Sequence, residues 1–209
     1  MRARPLSFAA CLAALLCAAS PRAYASSVTE LVREAREHEA ANRDELAARR
    51  YTEALALDPT YGDAYLGLGA LRARRGDARE AERVYSVALA HVPTLRAALV
   101  GRAEARWALG FHDDAEQDME EYVRAQDDPA ALRELARWYG TDERVPAALA
   151  AWRRLRALAP HAGDASLERE ARTMVRALQI LVGEADPVMV PAEPTRIRRG
   201  IAALARRGG

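Results

Sequence analysis

The residues best suited to chemistry in this chain are four histidines, His38, His91, His112 and His161, two cysteines, Cys11 and Cys17, and the acidic pairs Asp113-Asp114 and Asp127-Asp128. A histidine with a second ligand one helical turn away would make a metal site or an acid–base pair, because that spacing brings both groups to one helix face. None of the four stands in an H-x-x-x-H or H-x-x-E pairing, so each reads as a surface or turn residue. The acidic pairs sit in turns ahead of helical segments, where N-capping accounts for them. No Gly-rich phosphate loop or Ser nucleophile elbow is present. All 31 basic residues are Arg, which excludes a Schiff base or a phosphate-cradling Lys. The chain therefore reads as a non-enzyme, with no catalytic, cofactor-binding or metal-binding residue.

The elements that would position any site are helical. Ala makes up roughly a fifth of the 209 residues, while aromatic residues are 6%. Ala costs no side-chain entropy in a helix and lets helix axes approach closely, whereas a sheet protein would need more β-branched and aromatic residues.

The first 25 residues read as a secretory signal peptide: Arg2 and Arg4, an apolar run from Leu6 to Ala19, and a small-x-small cleavage site ending at Ala25. The alternative is an uncleaved anchor, for which the run is short of the ~20 residues of a bilayer span. The chain is thus expected to be exported, to a bacterial periplasm, with cleavage near Ala25. Cys11 and Cys17 both lie in this segment, so the remainder has no cysteine for a disulfide or a thiolate.

A 34-residue period runs through the body. Tyr51 and Tyr85, Pro59 and Pro93, and Gly76 and Gly110 are each 34 apart, with Asn42 one period before Gly76. Ala47, Ala81, Ala115 and Ala148 continue the series, as do Tyr51, Tyr85, Met119 and Trp152, with one residue lost before the last member. Helical apolar spacing at Tyr65, Leu68 and Leu71 stops at Gly76-Asp77, a C-terminal glycine followed by an N-cap, and resumes with Ala81, Val84, Tyr85 and Ala88. Each unit is a helix, a tight turn and a second helix.

The small residue in the first helix, the Ala and bulky residue in the second, and the closing Pro resemble the tetratricopeptide repeat (TPR) family. The units run 28–61, 62–95, 96–128 and 129–161. A capping helix at 164–183 follows Asp164, and a linker and basic tail, 186–209, reads as a disordered end. The resemblance implies an all-α, right-handed solenoid whose first helices line a concave groove for a partner's peptide or helix. By that resemblance the groove residues are Val32, Arg36 and Glu39, then Leu66, Ala70, Ala73 and Arg74, then Val100, Glu104 and Trp107, then Arg133 and Arg137. Trp107 stands out as a hot-spot anchor, with simple packing beneath its neighbours as the other reading. Glu34 and Arg102 occupy positions that the family fills with aliphatic residues, so looser packing or solvent exposure is expected there. The fourth unit lacks the mid-turn Gly and starts its second helix with Pro146. The chaperone-binding subtype needs Asn and Lys in the first helices. This chain has a single Asn, Asn42, and no Lys.

The whole chain is +1, but residues 26–186 carry −6 and the segment from Pro187 onward +4. In the tail, Ile197, Ile201 and Leu204 share a helical face among five Arg, so 195–209 reads either as a disordered end or as an amphipathic contact to an anionic membrane or acidic partner. The acidic body disfavours nucleic acid. The expected function is a non-enzymatic scaffold that binds another protein of an envelope assembly, in secretion, pilus formation or polysaccharide export. The alternative is a glycan- or peptidoglycan-binding accessory module.

Overall fold

The computed structural model of the chain describes residues 21–184. The expectations for residues 1–20 of the export segment, for the 186–209 linker and for the 195–209 tail lie outside them. Among the described residues there are nine α-helices and no strand. They are α1 (Pro21–Ala40), α2 (Asp44–Leu57), α3 (Gly62–Arg74), α4 (Ala78–His91), α5 (Ala97–Ala108), α6 (His112–Ala125), α7 (Pro129–Thr141), α8 (Val145–Ala162) and α9 (Ala165–Leu181). Ala25 falls inside α1. Packing divides the chain after Gly101 into two compact units.

In the first unit α2 packs on α1 and α3, and α4 on α3. Ala47, Ala54, Ala64, Ala81 and Ala88 are fully buried, and such contacts need small side chains because helix axes only 8–10 Å apart leave little space between them. Tyr51 and Tyr85 are buried among them. Their rings lie against glycines on neighbouring first helices. A Cβ at Gly67 would meet the Tyr51 ring at 2.3 Å, and Cβ atoms at Gly69 and Gly101 would meet the Tyr85 ring at 2.5 and 2.3 Å. Gly67 and Gly101 are one 34-residue period apart, like the two tyrosines they face, so one packing device is used twice.

The turns inside the helix pairs also repeat. Asn42 and Gly76 take left-handed backbone, with φ of 54° and 78°, and in the second unit Gly110 and Glu143 do the same, at 83° and 56°. The fourth repeat thus keeps the turn that a missing Gly had put in question. Glu143 adopts it at a steric cost that glycine escapes.

The second unit packs α7 on α6, α8 on α7 and α9 on α8. Met119, Leu132, Leu135, Trp152, Leu155, Leu167 and Val175 are in its core. Asp128 caps α7 by accepting from the Ala130 and Ala131 amides at 2.9 and 3.2 Å, ahead of Pro129. Asp164 caps α9 through the Ser166 and Leu167 amides at 2.9 and 3.0 Å. Asp113 and Asp114 are not caps: they lie in the first turn of α6 behind Phe111, where their charge meets the positive end of the helix dipole. Helix α8 also runs two residues past Pro160 and ends at left-handed Gly163, with φ 69°.

Arg102 is neither loosely packed nor solvated. It donates to both carboxylate oxygens of Asp118 at 2.7 and 2.8 Å, and Arg106 donates to the same carboxylate at 2.8 Å. The Asp118 side chain is 5% exposed and the arginines 19% and 21%. A repeat position that favours an apolar side chain here carries a charge because α6 supplies its counter-charge. Glu34 is likewise answered by Arg50 of α2 at 3.0 Å.

Candidate interaction faces

The first helices of the first unit, α1 and α3, carry Val32, Arg36 and Glu39, and Leu66, Ala70, Ala73 and Arg74. Val32 is 2% exposed, so it belongs to the packed core and offers no surface to a partner. The one-turn spacing from Val28, also buried, and Ala35 puts it on the apolar stripe of α1. Leu66 is half-buried, and Ala70 and Ala73 are exposed. Around them run two ion pairs that tie α1 to α3: Arg36 to Asp63 at 2.9 Å and Arg74 to Glu39 at 2.8 Å. Glu39 also accepts from the Tyr51 hydroxyl at 2.7 Å. Burial, with the Glu39 hydrogen bond second, pushes the Tyr51 phenol well above its ordinary range. Tyr51 thus remains a neutral donor, reaching from the core to the α1 carboxylate.

In the second unit, Glu104 and Trp107 lie on α5 and Arg133 and Arg137 on α7. The Trp107 ring stacks on Trp138 of α7, with centroids 4.6 Å apart and planes at 5°, and on His112 at 4.0 Å and 14°. His112 Nδ1 is in turn 3.2 Å from Asp142 Oδ1, past the end of α7. Trp107 therefore joins three helix ends and remains only partly exposed. Reading His112 as a plain turn residue missed this, since a stack between residues 107 and 138 has no signature in either local sequence.

Arg133 reaches Glu170 of α9 at 2.7 Å, and Arg137 holds Glu134 at 3.3 Å. Glu104 keeps an exposed surface but is recessed: desolvation, with the nearby Glu134 charge second, raises its carboxyl above the ordinary value. Val100, the remaining expected groove residue, is half-buried on the part of α5 that belongs to the first unit.

Two other features of the second unit lie off these first-helix residues. A cavity of about 370 Å³ is lined by α6, α7 and α8, with Leu132 and Leu135 among its walls and Glu120, Arg124 and Arg154 beside them. Glu116 of α6 is buried with Oε1 unpartnered, while Oε2 takes a hydrogen bond from Arg144. Burial outweighs that arginine and raises the Glu116 carboxyl. Among the described residues no group of three or more His, Cys, Asp or Glu is placed to hold a metal, and no helix is long and apolar enough to cross a membrane.

No protein-family model matches the sequence, and no curated protein matches it. Solved structures do match. A crystal structure of MamA superposes with a TM-score of 0.65 at 14% identity, covering 88% of this chain and 90% of MamA. YrrB, described as a TPR protein with an unusual peptide-binding site, gives 0.63 at 16%, covering 89% and 97%. The first TPR of Spaghetti (RPAP3), solved with the HSP90 peptide SRMEEVD, gives 0.52 at 20%, covering 54% and 90%. At these identities the likeness is one of fold, an all-α helical repeat.

Proposed function

We propose, from the TPR fold of this chain, that it is a non-enzymatic scaffold that binds a peptide or helix of another protein on its first-helix faces, and that it does so in the bacterial periplasm as part of an envelope assembly. The observation that carries the binding reading is the surface of α3. Leu66, Ala70 and Ala73 leave a strip of little side-chain bulk between the Arg36–Asp63 and Arg74–Glu39 pairs. A backbone can approach such a strip closely, and the charged rim can orient it. Export rests on the pattern of residues 1–25 alone.

The test is a pull-down of the chain, freed of residues 1–25, from a bacterial envelope extract. A stoichiometric protein partner that is lost when Ala70 is replaced by Arg supports the reading. Retention on peptidoglycan with no protein partner would overturn it in favour of a glycan-binding module. Fractionation of the full chain checks the compartment, and recovery in the cytoplasm would remove the export proposal.

A further inference from the structure

The cavity beside α6, α7 and α8 is filled by none of the described residues. Its apolar walls are Val123 of α6, Leu132 and Leu135 of α7, and Ala147, Ala150 and Ala151 of α8. Ala147 is half-buried and Ala150 exposed, so the α8 wall carries little bulk and another segment can come close to its backbone. All three helices belong to the second unit. The volume of about 370 Å³ lies within the range of about 300–1,000 Å³ of ligand pockets, and an aliphatic group that enters it leaves water.

The chain itself carries such groups close by. The last described residue, Glu184, pairs with Arg153 of α8, next in sequence to Arg154, which lines the cavity. The chain thus leaves the described residues beside the helix that forms one cavity wall. The twelve residues 185–196 can extend up to about 40 Å, whereas α8, at 18 residues, is about 27 Å long. Beyond them come Ile197, Ile201 and Leu204, spaced as one helix face among five Arg. The charges match as well. The segment from Pro187 onward is +4, and residues 102–184 hold 16 acidic against 12 basic residues. The cavity rim is closer to balance: the Tyr139 hydroxyl donates to Glu120, Arg154 is held by Asp127 at 2.7 Å, and Arg124 is exposed.

We propose that residues 197–204 dock into this cavity of their own chain, with Ile201 against Ala147 and Ala150 and with Ile197 and Leu204 to either side. The tether makes docking intramolecular, and an effective concentration of order mM lets even a weak contact form. The contact is separate from partner binding, since α6 and α8 are second helices of their repeats. It answers the charge of the tail within the chain.

The experiment is disulfide trapping in the full chain with Cys11→Ser and Cys17→Ser, which leaves no native cysteine. The test variant adds Ala150→Cys and Ile201→Cys. The reference adds Thr173→Cys and Ile201→Cys, with Thr173 exposed on α9 and nearer to the tail in sequence. Under mild oxidation at low salt the 150–201 bridge should form at least about tenfold faster than the 173–201 bridge, because docking concentrates residue 201 at one site only. Adding Arg124→Glu should raise that rate, and about 1 M salt should lower it by screening. Equal rates for the two bridges overturn the proposal. A rate lowered by Arg124→Glu also overturns it, since a basic segment must favour the added carboxylate. A 150–201 bridge that forms only between chains makes the occupant the tail of a second copy and overturns the intramolecular contact. Equal rates, with flotation on anionic vesicles that is lost on deleting 195–209, would make the tail a membrane contact instead.

Discussion

A Cβ on Gly101 would stand 2.3 Å from Cζ of Tyr85, nearer than carbon atoms of folded proteins approach, so the ring rests on bare backbone of α5. The neighbour is a stiff, buried aromatic ring, and it has no room to give. Gly101→Ala should therefore cost about 1–3 kcal/mol, the usual range for overpacking a core. Gly140 in α7 is the matched control: a Cβ there meets nothing within 4 Å. Gly140→Ala should stabilise by about 0.5–1 kcal/mol through helix propensity. Thermal melts of the two variants would have to shift in opposite directions.

Glu143 holds left-handed backbone, with φ 56°, in a phase where two of the other repeats use glycine. Glu143→Gly should relieve roughly 1 kcal/mol of steric strain, partly offset by the greater entropy of the unfolded chain. A lower denaturation midpoint in urea would show that the Glu143 side chain contributes more than its backbone costs.

Asp118 serves two arginines from a nearly dry position. Asp118→Ala removes the shared acceptor and should destabilise by about 3 kcal/mol, the low end for breaking a buried pair from one side. Replacing Arg102, Arg106 and Asp118 together by apolar side chains should recover much of that loss, because packed apolar groups can substitute for a buried ion cluster. A triple variant as unstable as Asp118→Ala would contradict this.

Glu116 supplies a pH dependence of the less usual sign. Its folded-state carboxyl is raised by burial, so the native state binds this proton more tightly than the unfolded chain does. The stabilisation is complete when the group is protonated in both states, and it is lost as pH rises through the raised folded value. Glu116→Gln should consequently be more stable than the parent at pH 7, with the advantage shrinking as pH falls toward the ordinary carboxyl value of 4.5. Chemical denaturation at several pH values between these limits tests it, and an advantage that grows on acidification would have the wrong sign.

The helical repeat was legible because its signal is periodic and repeated: buried Ala47, Ala81, Ala115 and Ala148 and buried Tyr51, Tyr85, Met119 and Trp152 recur at fixed spacing. Features that depend on one pair of positions were not. Gly67 and Gly101 carry no such signal, since a glycine's role is set by what approaches it, here the rings of Tyr51 and Tyr85. Arg102 looked like a flaw because its acceptor is sixteen residues away on the next helix. The groove residues were placed by analogy of phase, which cannot separate Val32, a turn away from the surface, from Arg36. It also cannot tell that Arg133 and Arg137 are engaged while Glu104 is not.

The seating of Tyr85 on Gly101 also restricts how this chain could have been shuffled. The third repeat is one residue shorter than the second, so the position that answers Gly101 in the fourth repeat is Glu134, and the one that answers Tyr85 in the third is Met119. The first two junctions pair a large ring with no side chain, whereas at the third the same two positions hold Met119 and Glu134. Deleting the third repeat would bring Glu134 to the position that Gly101 holds under Tyr85, and duplicating the second would need a glycine at every new joint. The repeats are alike in outline, yet each accepts only particular neighbours, so recombination among them has a grammar that their shared period does not reveal.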